Sequence, residues 1–401
     1  MPAAAAHTVA KPARVLSVDI LRGITIAFMI LVNDPGDGRH VYTQLEHATW
    51  NGWTLTDLVF PNFLFLVGCS IVFSMQGRIA RGDSRRTLAL NALRRAVIIF
   101  AINLFLAAFP YFHWTRLRLY GVLPRIALCY FAAALIFLYT RRIRVLLGIT
   151  SVCLVTYWAL MRYAKVPGLG HPYTDFPFLD PNNNLGAWLD RNVMGFLQRT
   201  IHTGVLYEKT RDPEGLLSTI PAIGTTLLGI CAGLWIRRPQ LSLTRNRLYL
   251  LGFGVVGIVL GELWNPWFPI NKRVWTSSYV LFAAGIAAVM LALLSLEVDR
   301  PQWPQRHPAL KALSWPWLVF GTNAIAAYCV AGLYERIFEL FRIANPDNAR
   351  RAFTPWSWLY AHGIAHNGST DMTSALWAFA YVCLCFLPIW LLWRKKIFLK
   401  V

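Results

Sequence analysis

The chain has 401 residues, of which 56% are hydrophobic and 14% charged, and its mean hydropathy is +0.45. This composition excludes a set of soluble domains and is typical of an integral membrane protein. The formal net charge of +20 does not indicate a nucleic-acid-binding protein, because basic segments beside membrane helices and their attraction to anionic lipid explain it.

Apolar runs near the roughly 20 residues that cross a bilayer recur along the whole length, and the alternation of a β-barrel is absent. We therefore predict an all-α integral membrane protein, a bundle of about ten transmembrane helices. The predicted spans are residues 16–33, 55–76, 92–110, 121–140, 145–163, 215–236, 247–265, 275–296, 314–334 and 373–393. Residues 1–401 are treated as one transmembrane domain, with 1–15 as a cytoplasmic arm and 164–214 and 336–372 as long outer loops.

The segments between the predicted spans differ in charge. If the first span runs outward, the inner segments are rich in Lys and Arg and hold only three acids, Asp83, Glu297 and Asp299. This asymmetry follows the positive-inside rule and predicts that both termini are cytoplasmic. The arm lacks the apolar core of a secretory signal peptide. The Cys residues all fall in apolar spans, which indicates neither a disulfide framework nor a thiol-based zinc site.

The longest outer segment, residues 165–214, is rich in Pro and contains three consecutive Asn residues, which predicts ordered turns more than a helix. Long loops on one face of a helical bundle often bind ligands. Trp residues cluster on this side, where they fit an interfacial belt or, for one or two of them, a platform for a sugar ring. They are Trp50, Trp53, Trp114, Trp264, Trp267, Trp275, Trp356 and Trp358.

His47 lies in a polar loop that runs directly into an apolar segment. Histidine can accept or release a proton near neutral pH, so this side chain is the first candidate for chemistry, with a merely solvated loop residue as the alternative. Asp57 follows Thr54 at a helix start, a spacing that also fits a capping box with Asp in place of Glu. Asn33 ends the first predicted helix and either caps it or serves a site.

Other polar residues at membrane depth are candidates because each is costly in lipid unless it is paired or lines a cavity. Asp19 and Arg22 lie three apart, which also fits an ion pair on one helix face or simple snorkelling. Arg125 can snorkel outward from its span, and Asp212 before Pro213 fits the N-cap of a helix. Further candidates are Asn103, Asn271, Lys272 and Asn323.

No GxGxxG, P-loop, HExxH or DxDxDG motif occurs in the sequence, so neither a soluble nucleotide-binding fold nor a standard metal site is supported. The phosphates of a ligand would have to be held by Lys and Arg. The pair Arg94-Arg95 and the run Arg394-Lys395-Lys396 are available for this, although the positive-inside topology predicts the same residues.

Seven sequence blocks, taken together and in order, resemble the heparan-alpha-glucosaminide N-acetyltransferase family, and its bacterial branch most of all. The resemblance covers nearly the whole chain, and the ordered set is far more specific than any single block. The blocks are Ser17 to Gly23, Val32-Asn33, His47 to Gly52 with Asp57 to Pro61, Gly121 to Arg125, Asp212 to Gly215, Pro269 to Lys272 with Trp275, and Arg394 to Phe398.

The resemblance implies a multi-pass enzyme of the bacterial inner membrane that moves the acetyl group of cytoplasmic acetyl-CoA, a co-substrate, to the amine of a glucosamine-type sugar on the periplasmic side. It also implies that His47 is the catalytic residue, and we assign Asn33 and Asp57 to catalysis beside it. We expect acetyl-CoA to be bound by Arg22, Arg94, Arg125, Asn323 and Lys395, and the sugar by Trp50, Asn271 and Lys272. We expect no metal and no nucleic acid, contact with the lipid bilayer, and a homodimer.

In this hypothesis His47 takes the amine proton as a general base, Asp57 orients its ring, and Asn33 and Asn323 donate hydrogen bonds to the thioester oxygen. A mechanism in which His47 itself becomes acetylated is equally allowed. Two alternatives are an amino-sugar permease and an O-acyltransferase of envelope glycans. The composition fits a carrier as well, although the sequence shows no inverted repeat.

Overall fold

Long apolar runs become helices in the computed structural model, which describes residues 15–238, 240–300, 303, 307–344 and 352–399. Within these ranges there is no β-strand, only isolated bridges. The helices are α1 (Leu16–Asn33), α2 (Val59–Ala80), α3 (Arg85–Ala108), α4 (Val122–Tyr139), α5 (Ile143–Tyr163), α6 (Leu185–Ile201), α7 (Thr219–Ile236), α8 (Leu243–Trp264), α9 (Ser277–Val298), α10 (Pro308–Thr322), α11 (Ala324–Leu340), α12 (Pro355–Leu359) and α13 (Asp371–Arg394).

Among the described helices, nine are long and apolar enough to cross a membrane, and the bent pair α10–α11 makes ten if it counts as one span. The prediction of an all-α membrane protein with about ten transmembrane helices is therefore confirmed. Lipid offers no partner to backbone N–H and C=O groups, so helices satisfy them internally. The cytoplasmic placement of the termini stays a prediction.

The predicted span 314–334 takes a different form, because α10 and α11 bend by 79° where they meet at Asn323. The side chain of Asn323 donates to the carbonyl of Ile397 at 3.1 Å and accepts from the backbone N–H of Leu399 at 2.9 Å. Hydropathy detects the apolar length of the segment but not this break. The C-terminal segment is thus held against the bend.

The turn prediction for residues 165–214 is wrong over α6. Asn184, the last of the three Asn residues, accepts a hydrogen bond from the N–H of Ala187 at 2.9 Å and so caps this helix. The helix buries Asp190 and Met194 on one side only. An amphipathic helix of this kind lies outside the apolar runs that mark membrane spans.

Two further expectations are corrected in the same part of the molecule. The predicted helix start at Asp212 is wrong, because α7 begins at Thr219 and the Asp212 carboxylate instead binds the guanidinium of Arg118. Trp275 does not belong to an exposed interfacial belt, because it is fully buried and meets Phe60 edge to face.

Helix pairs approach closely where both partners carry glycine. A Cβ atom at Gly229 of α7 would overlap the carbonyl oxygen of Phe65 in α2, and one at Gly68 of α2 would overlap that of Thr226. Small residues at such contacts let membrane helices pack backbone to backbone. This close contact with α7 holds α2 in position, and the first turn of α2 follows the loop that contains His47.

Candidate functional site

His47 and Asp57 form the centre of the candidate site. The Nδ1 atom of His47 lies 2.7 Å from Oδ1 of Asp57. The Asp57 side chain is 2% exposed, whereas that of His47 is 40% exposed. A buried carboxylate that accepts from Nδ1–H leaves the lone pair on Nε2, which is the tautomer a general base requires.

The second carboxylate oxygen of Asp57 shapes the loop that carries His47. Oδ2 accepts from the backbone N–H groups of Ala48 at 3.0 Å and of Thr54 at 3.1 Å. Half of the predicted capping box is thereby present, because the hydroxyl of Thr54 donates to the carbonyl of Glu46 and lies 3.2 Å from Oδ2 of Asp57 instead of accepting from the N–H of Asp57. One buried side chain therefore folds the loop and orients the imidazole.

A distant segment holds the same loop from the other side. The N–H of Gly52 donates to the carbonyl of Ile270 at 2.8 Å, and the side-chain amide of Asn271 donates to Oδ1 of Asn51 at 3.1 Å. The oxygen of that amide accepts from the N–H of Arg273 at 2.8 Å. Asn271 is fully buried, so its amide acts as a clamp between two loops.

Four cavities lie in series, three of them along α2. The basic cavity, about 360 Å³, is lined by Arg78, Arg94 and Arg95 among others, and the middle cavity, about 260 Å³, by Arg22 and Ser70. The histidine cavity, about 110 Å³, contains His47, and the carboxylate cavity, about 380 Å³, contains Asp34 and Glu335. Each cavity shares lining residues with the next. The basic and middle cavities share Ser74, Arg95 and Tyr130, and the middle and histidine cavities share Phe63, Leu123, Ile126, Ala324 and Ile325. The histidine and carboxylate cavities share Met29, Asn33, Val122 and Tyr328.

One face of α2 lines three of these cavities. Its residues recur every three or four positions, which is the spacing of a single helix face. At 1.5 Å per residue this face extends for roughly 28 Å, close to the hydrocarbon thickness of a bilayer. The residues are Val59, Phe63, Val67, Ser70, Ser74 and Arg78. A series of cavities thus connects His47 to a strongly basic end of the bundle.

Asn33, Lys272 and Glu214 line the histidine cavity together with His47. Burial lowers the pKa of Lys272, and the charges of Glu214 and Asp57 only partly offset this. Burial alone would raise the pKa of Glu214, but the charges of Lys272 and Arg118 outweigh it and keep that pKa below its ordinary value. An ionised carboxylate therefore faces an ammonium group whose proton is held less tightly than usual.

Arginines dominate the opposite end of the series. Arg22 binds Oδ1 of Asp19 at 3.2 Å, which confirms the predicted ion pair, and also donates to the hydroxyl of Ser70 at 2.7 Å. Arg95 lines both the basic and the middle cavity, and its buried Nε has no hydrogen-bond partner among the described residues. Arg94 lines the basic cavity only.

Four other predicted site residues lie in different surroundings. Arg125 is buried, donates to the carbonyl of Gly215 at 2.8 Å, and its guanidinium lies 5.2 Å from the ring centre of Trp275. The side-chain amide of Asn323 is hydrogen-bonded to the C-terminal segment. Lys395 is exposed. Trp50 donates from Nε1 to the carbonyl of Leu179 at 2.9 Å. None of the four lines the cavities described above.

Sequence reasoning missed Glu214 as a cavity residue, because the Asp212-Pro-Glu-Gly block looked like a helix start. It also missed the lining face of α2, whose only sequence signal is Ser70, Ser74 and Arg78 at helical spacing in an apolar run. Within the described part of the chain, no group of three or more His, Cys, Asp or Glu side chains could hold a metal ion.

Comparison with known proteins gives two kinds of match. A model of the family described as heparan-alpha-glucosaminide N-acetyltransferase, catalytic, matches residues 14–258. The curated human protein named heparan-alpha-glucosaminide N-acetyltransferase is 29% identical, over 98% of this chain and 60% of the human protein. The mouse protein of the same name is 28% identical, over 97% of this chain and 60% of its own length. The chain thus spans about 60% of the length of these relatives.

Proposed function

This chain belongs to the heparan-alpha-glucosaminide N-acetyltransferase family, and on that premise we propose that it is a membrane-spanning acyltransferase that moves the acetyl group of acetyl-CoA to the amine of a glucosamine-type sugar. Family membership confirms the resemblance carried by the seven sequence blocks. The observation that carries the proposal is the His47–Asp57 pair at one end of the three cavities along α2, whose other end is lined by arginines.

Acetyl-CoA is polyanionic at its nucleotide end and carries its thioester at the end of a long, thin arm. The basic cavity supplies Arg78, Arg94 and Arg95, which suit phosphate oxygens through charge-assisted hydrogen bonds. The middle cavity is smaller, and most of its lining residues are apolar, with Ser70 and Arg22 also on its wall, so it suits the arm. The thioester then lies in the histidine cavity, so that only the acetyl group has to be offered to the far side.

Transfer to an amine needs a base, a donor for the developing oxyanion, and a leaving thiolate. His47 takes a proton from the attacking nitrogen through Nε2, and Asp57 stabilises the imidazolium that forms. The amide of Asn33 and the ammonium of Lys272 line the same cavity and donate to the thioester oxygen as charge develops. The amide of Asn323 is occupied by the C-terminal segment, so Asn33 is the better candidate for this role.

The nitrogen–carbon bond forms while the carbon–sulfur bond breaks, and the proton on His47 passes to the coenzyme thiolate. In a two-step variant, Nε2 itself attacks the thioester and the amine then attacks acetyl-His47. Mixing enzyme with acetyl-CoA alone separates the two routes. Direct transfer gives no thiol burst without sugar, whereas an acetyl-histidine route gives one equivalent per enzyme.

We place the basic end in the cytoplasm and His47 on the periplasmic side of a bacterial inner membrane. The ends of α2, α4, α7 and α13 carry basic residues, as do the starts of α3, α5 and α8, and alternating helix directions bring these to one face. That arrangement agrees with the positive-inside rule. The chain then acts as one transmembrane domain with its two long loops outside.

The proposal is tested with purified protein in lipid nanodiscs, acetyl-CoA and glucosamine, by following free thiol and N-acetylglucosamine. Wild type should release both in equal amounts, and His47→Ala should lose nearly all of this activity. His171→Ala removes an exposed histidine from the long loop and should leave the rate unchanged. Equal rates in His47→Ala and wild type would overturn the catalytic assignment, and uptake of intact sugar into vesicles without acetyl-CoA would indicate a permease.

A further inference from the structure

The carboxylate cavity is the largest of the four, and the mechanism above does not use it. It is lined by residues from α1, α3, α4 and α11 and from the loops before α4 and α7. Asn33 and Met29 of α1 line both this cavity and the histidine cavity. A molecule in the carboxylate cavity would therefore lie next to the reacting groups.

Two carboxyl groups distinguish this cavity, Asp34 at the end of α1 and Glu335 on α11. Burial raises the pKa of Asp34 to about 8, and the negative charge of Glu335 adds to the effect. When both carboxyl groups are ionised the pair carries two negative charges, so it can bind an ammonium ion and still carry one negative charge after it has taken a proton from that ion.

The positive side chains of the cavity are engaged elsewhere or exposed. Arg118 binds Asp212 and Glu214, both at 2.6 Å, and Arg336 donates to the carbonyl of Phe109 at 3.1 Å. Arg116 is exposed. The remaining titratable groups around Asp34 are phenols and a thiol, namely Tyr120, Tyr207 and Tyr328 in the cavity and Tyr381 and Cys385 on α13. Glu335 is thus the charge that acts on Asp34.

Acetylation of an ammonium releases two protons from nitrogen. The first must leave before attack, because an ammonium has no lone pair, and the second leaves as the amide forms. The balance is R–NH3+ plus acetyl-S-CoA giving R–NH–acetyl, CoA-SH and one free proton. His47 can carry only one proton at a time, and it delivers that proton to the thiolate. A second acceptor is needed for the first proton.

We propose that Asp34 and Glu335 form the acceptor subsite, which binds a protonated amino sugar and takes up the first proton, so that the sugar reaches His47 as a neutral amine. The inference rests on the proposed function and deepens it. An amine flanked by electron-withdrawing groups has a pKa of about 8, as α-amino groups do. A carboxyl of matching pKa exchanges a proton with such an amine at little cost in free energy.

The test compares Asp34→Asn, Glu335→Gln and Glu262→Gln in the acetyl-CoA and glucosamine assay between pH 6.5 and 9.5. Glu262 of α8 is exposed and lines none of the four cavities, so its variant is the control for the loss of a carboxylate. At pH 7, Asp34→Asn should lower kcat/KM for glucosamine by about tenfold or more. Glu335→Gln should raise the KM for glucosamine, whereas Glu262→Gln should change neither quantity.

The pH profile separates proton removal from a structural effect. Above pH 9 the amine is already neutral, so Asp34→Asn should approach the wild-type rate there. A deficit that stays the same at every pH, or no deficit at pH 7, would overturn the role of Asp34 while leaving the acetyltransferase proposal intact. Thermal unfolding of each variant checks the fold. A wild-type protein that makes no N-acetylglucosamine would instead overturn the proposed function and this inference with it.

Discussion

Asp57 contacts His47 through one carboxylate oxygen, Oδ1, and builds the loop that carries His47 through the other, Oδ2. The two residues are therefore coupled twice, once through the ring and once through the backbone. A substitution at Asp57 that preserves its shape separates these two couplings, because an amide can keep some of the backbone contacts but cannot hold the same tautomer of the ring.

The first prediction concerns Asp57→Asn. We expect kcat to fall by about a hundredfold or more, because the amide no longer stabilises an imidazolium and favours the wrong tautomer of His47. The KM for acetyl-CoA should change little, since Asp57 does not line the basic or middle cavity. Steady-state kinetics measure both quantities. Asp37→Asn, in the same loop, is the control, and a smaller effect at Asp57 than at Asp37 would contradict the coupling.

The second prediction concerns the clamp at Asn271. In Asn271→Ala the N–H groups of Arg273 and Val274 lose their acceptor and Oδ1 of Asn51 loses its donor. The unsatisfied N–H of the buried Val274 alone costs about 1–3 kcal/mol, so the thermal midpoint in detergent should fall by several degrees. The exposed Asn192→Ala should leave it unchanged. Equal midpoints for both variants would show that the clamp is not structural.

The third prediction concerns the basic cavity, where we expect the nucleotide end of acetyl-CoA to bind. Arg95→Gln should raise the KM for acetyl-CoA by about tenfold, because one charge-assisted contact to phosphate is lost. The KM for dephosphorylated pantetheine acetyl thioester should stay the same in wild type and variant, since that donor carries no nucleotide. Arg144→Gln removes an exposed charge near the start of α5 and serves as the control. A similar rise for both donors would indicate a packing defect instead.

The fourth prediction concerns pH and Asp190 of α6, whose Oδ1 accepts from the N–H of Leu216 at 2.9 Å. Burial raises the pKa of Asp190 to about 6 from its ordinary 3.8. The folded state therefore binds the proton more tightly than the unfolded state, and this stabilisation is lost as pH rises from 3.8 to 6.

Thermal unfolding of wild type and Asp190→Asn across this window measures the effect. The midpoint of the wild type should decline relative to that of the variant as pH rises, and the difference should level off above pH 6. A constant difference between the two proteins from pH 4 to 7 would show that Asp190 does not titrate in this range.

Those parts of the fold that depend only on the local sequence were predictable. Apolar length marks the membrane helices, and the contact between Asp57 and the His47 ring, which the hypothesis after the family resemblance includes, is present at 2.7 Å. The bend at Asn323 was not predictable, because its cause is a contact with Ile397 and Leu399, far along the chain. Helix α6 was not predicted because its buried side is narrow and it directly follows a Pro- and Asn-rich stretch.

In the candidate site, too, some features follow from the local sequence and others depend on contacts between distant segments. The type of chemistry follows from an imidazole beside a carboxylate, but the partners of each polar residue depend on packing between distant segments. Asn271 and Asn323 look alike in sequence, as single amides near the ends of apolar runs, yet each is fully engaged by a different loop. The cavity residues Asp34, Glu214 and Glu335 lie far apart in the sequence, and only the packing of α1, α11 and the segment before α7 places them in neighbouring cavities.

The bridge between Gly52 and Asn271 also bears on how the protein is made. Helices α1 and α2 leave the ribosome and enter the membrane long before residue 271 has been synthesised. Until then the His47 loop is held by Asp57 and by contacts with earlier segments, such as that of Trp50 with Leu179, and neither Asn271 nor Lys272 is present. A nascent chain that already exposes His47 thus lacks Asn271 and Lys272, and the candidate site is complete only once the segment that leads into α9 has been made.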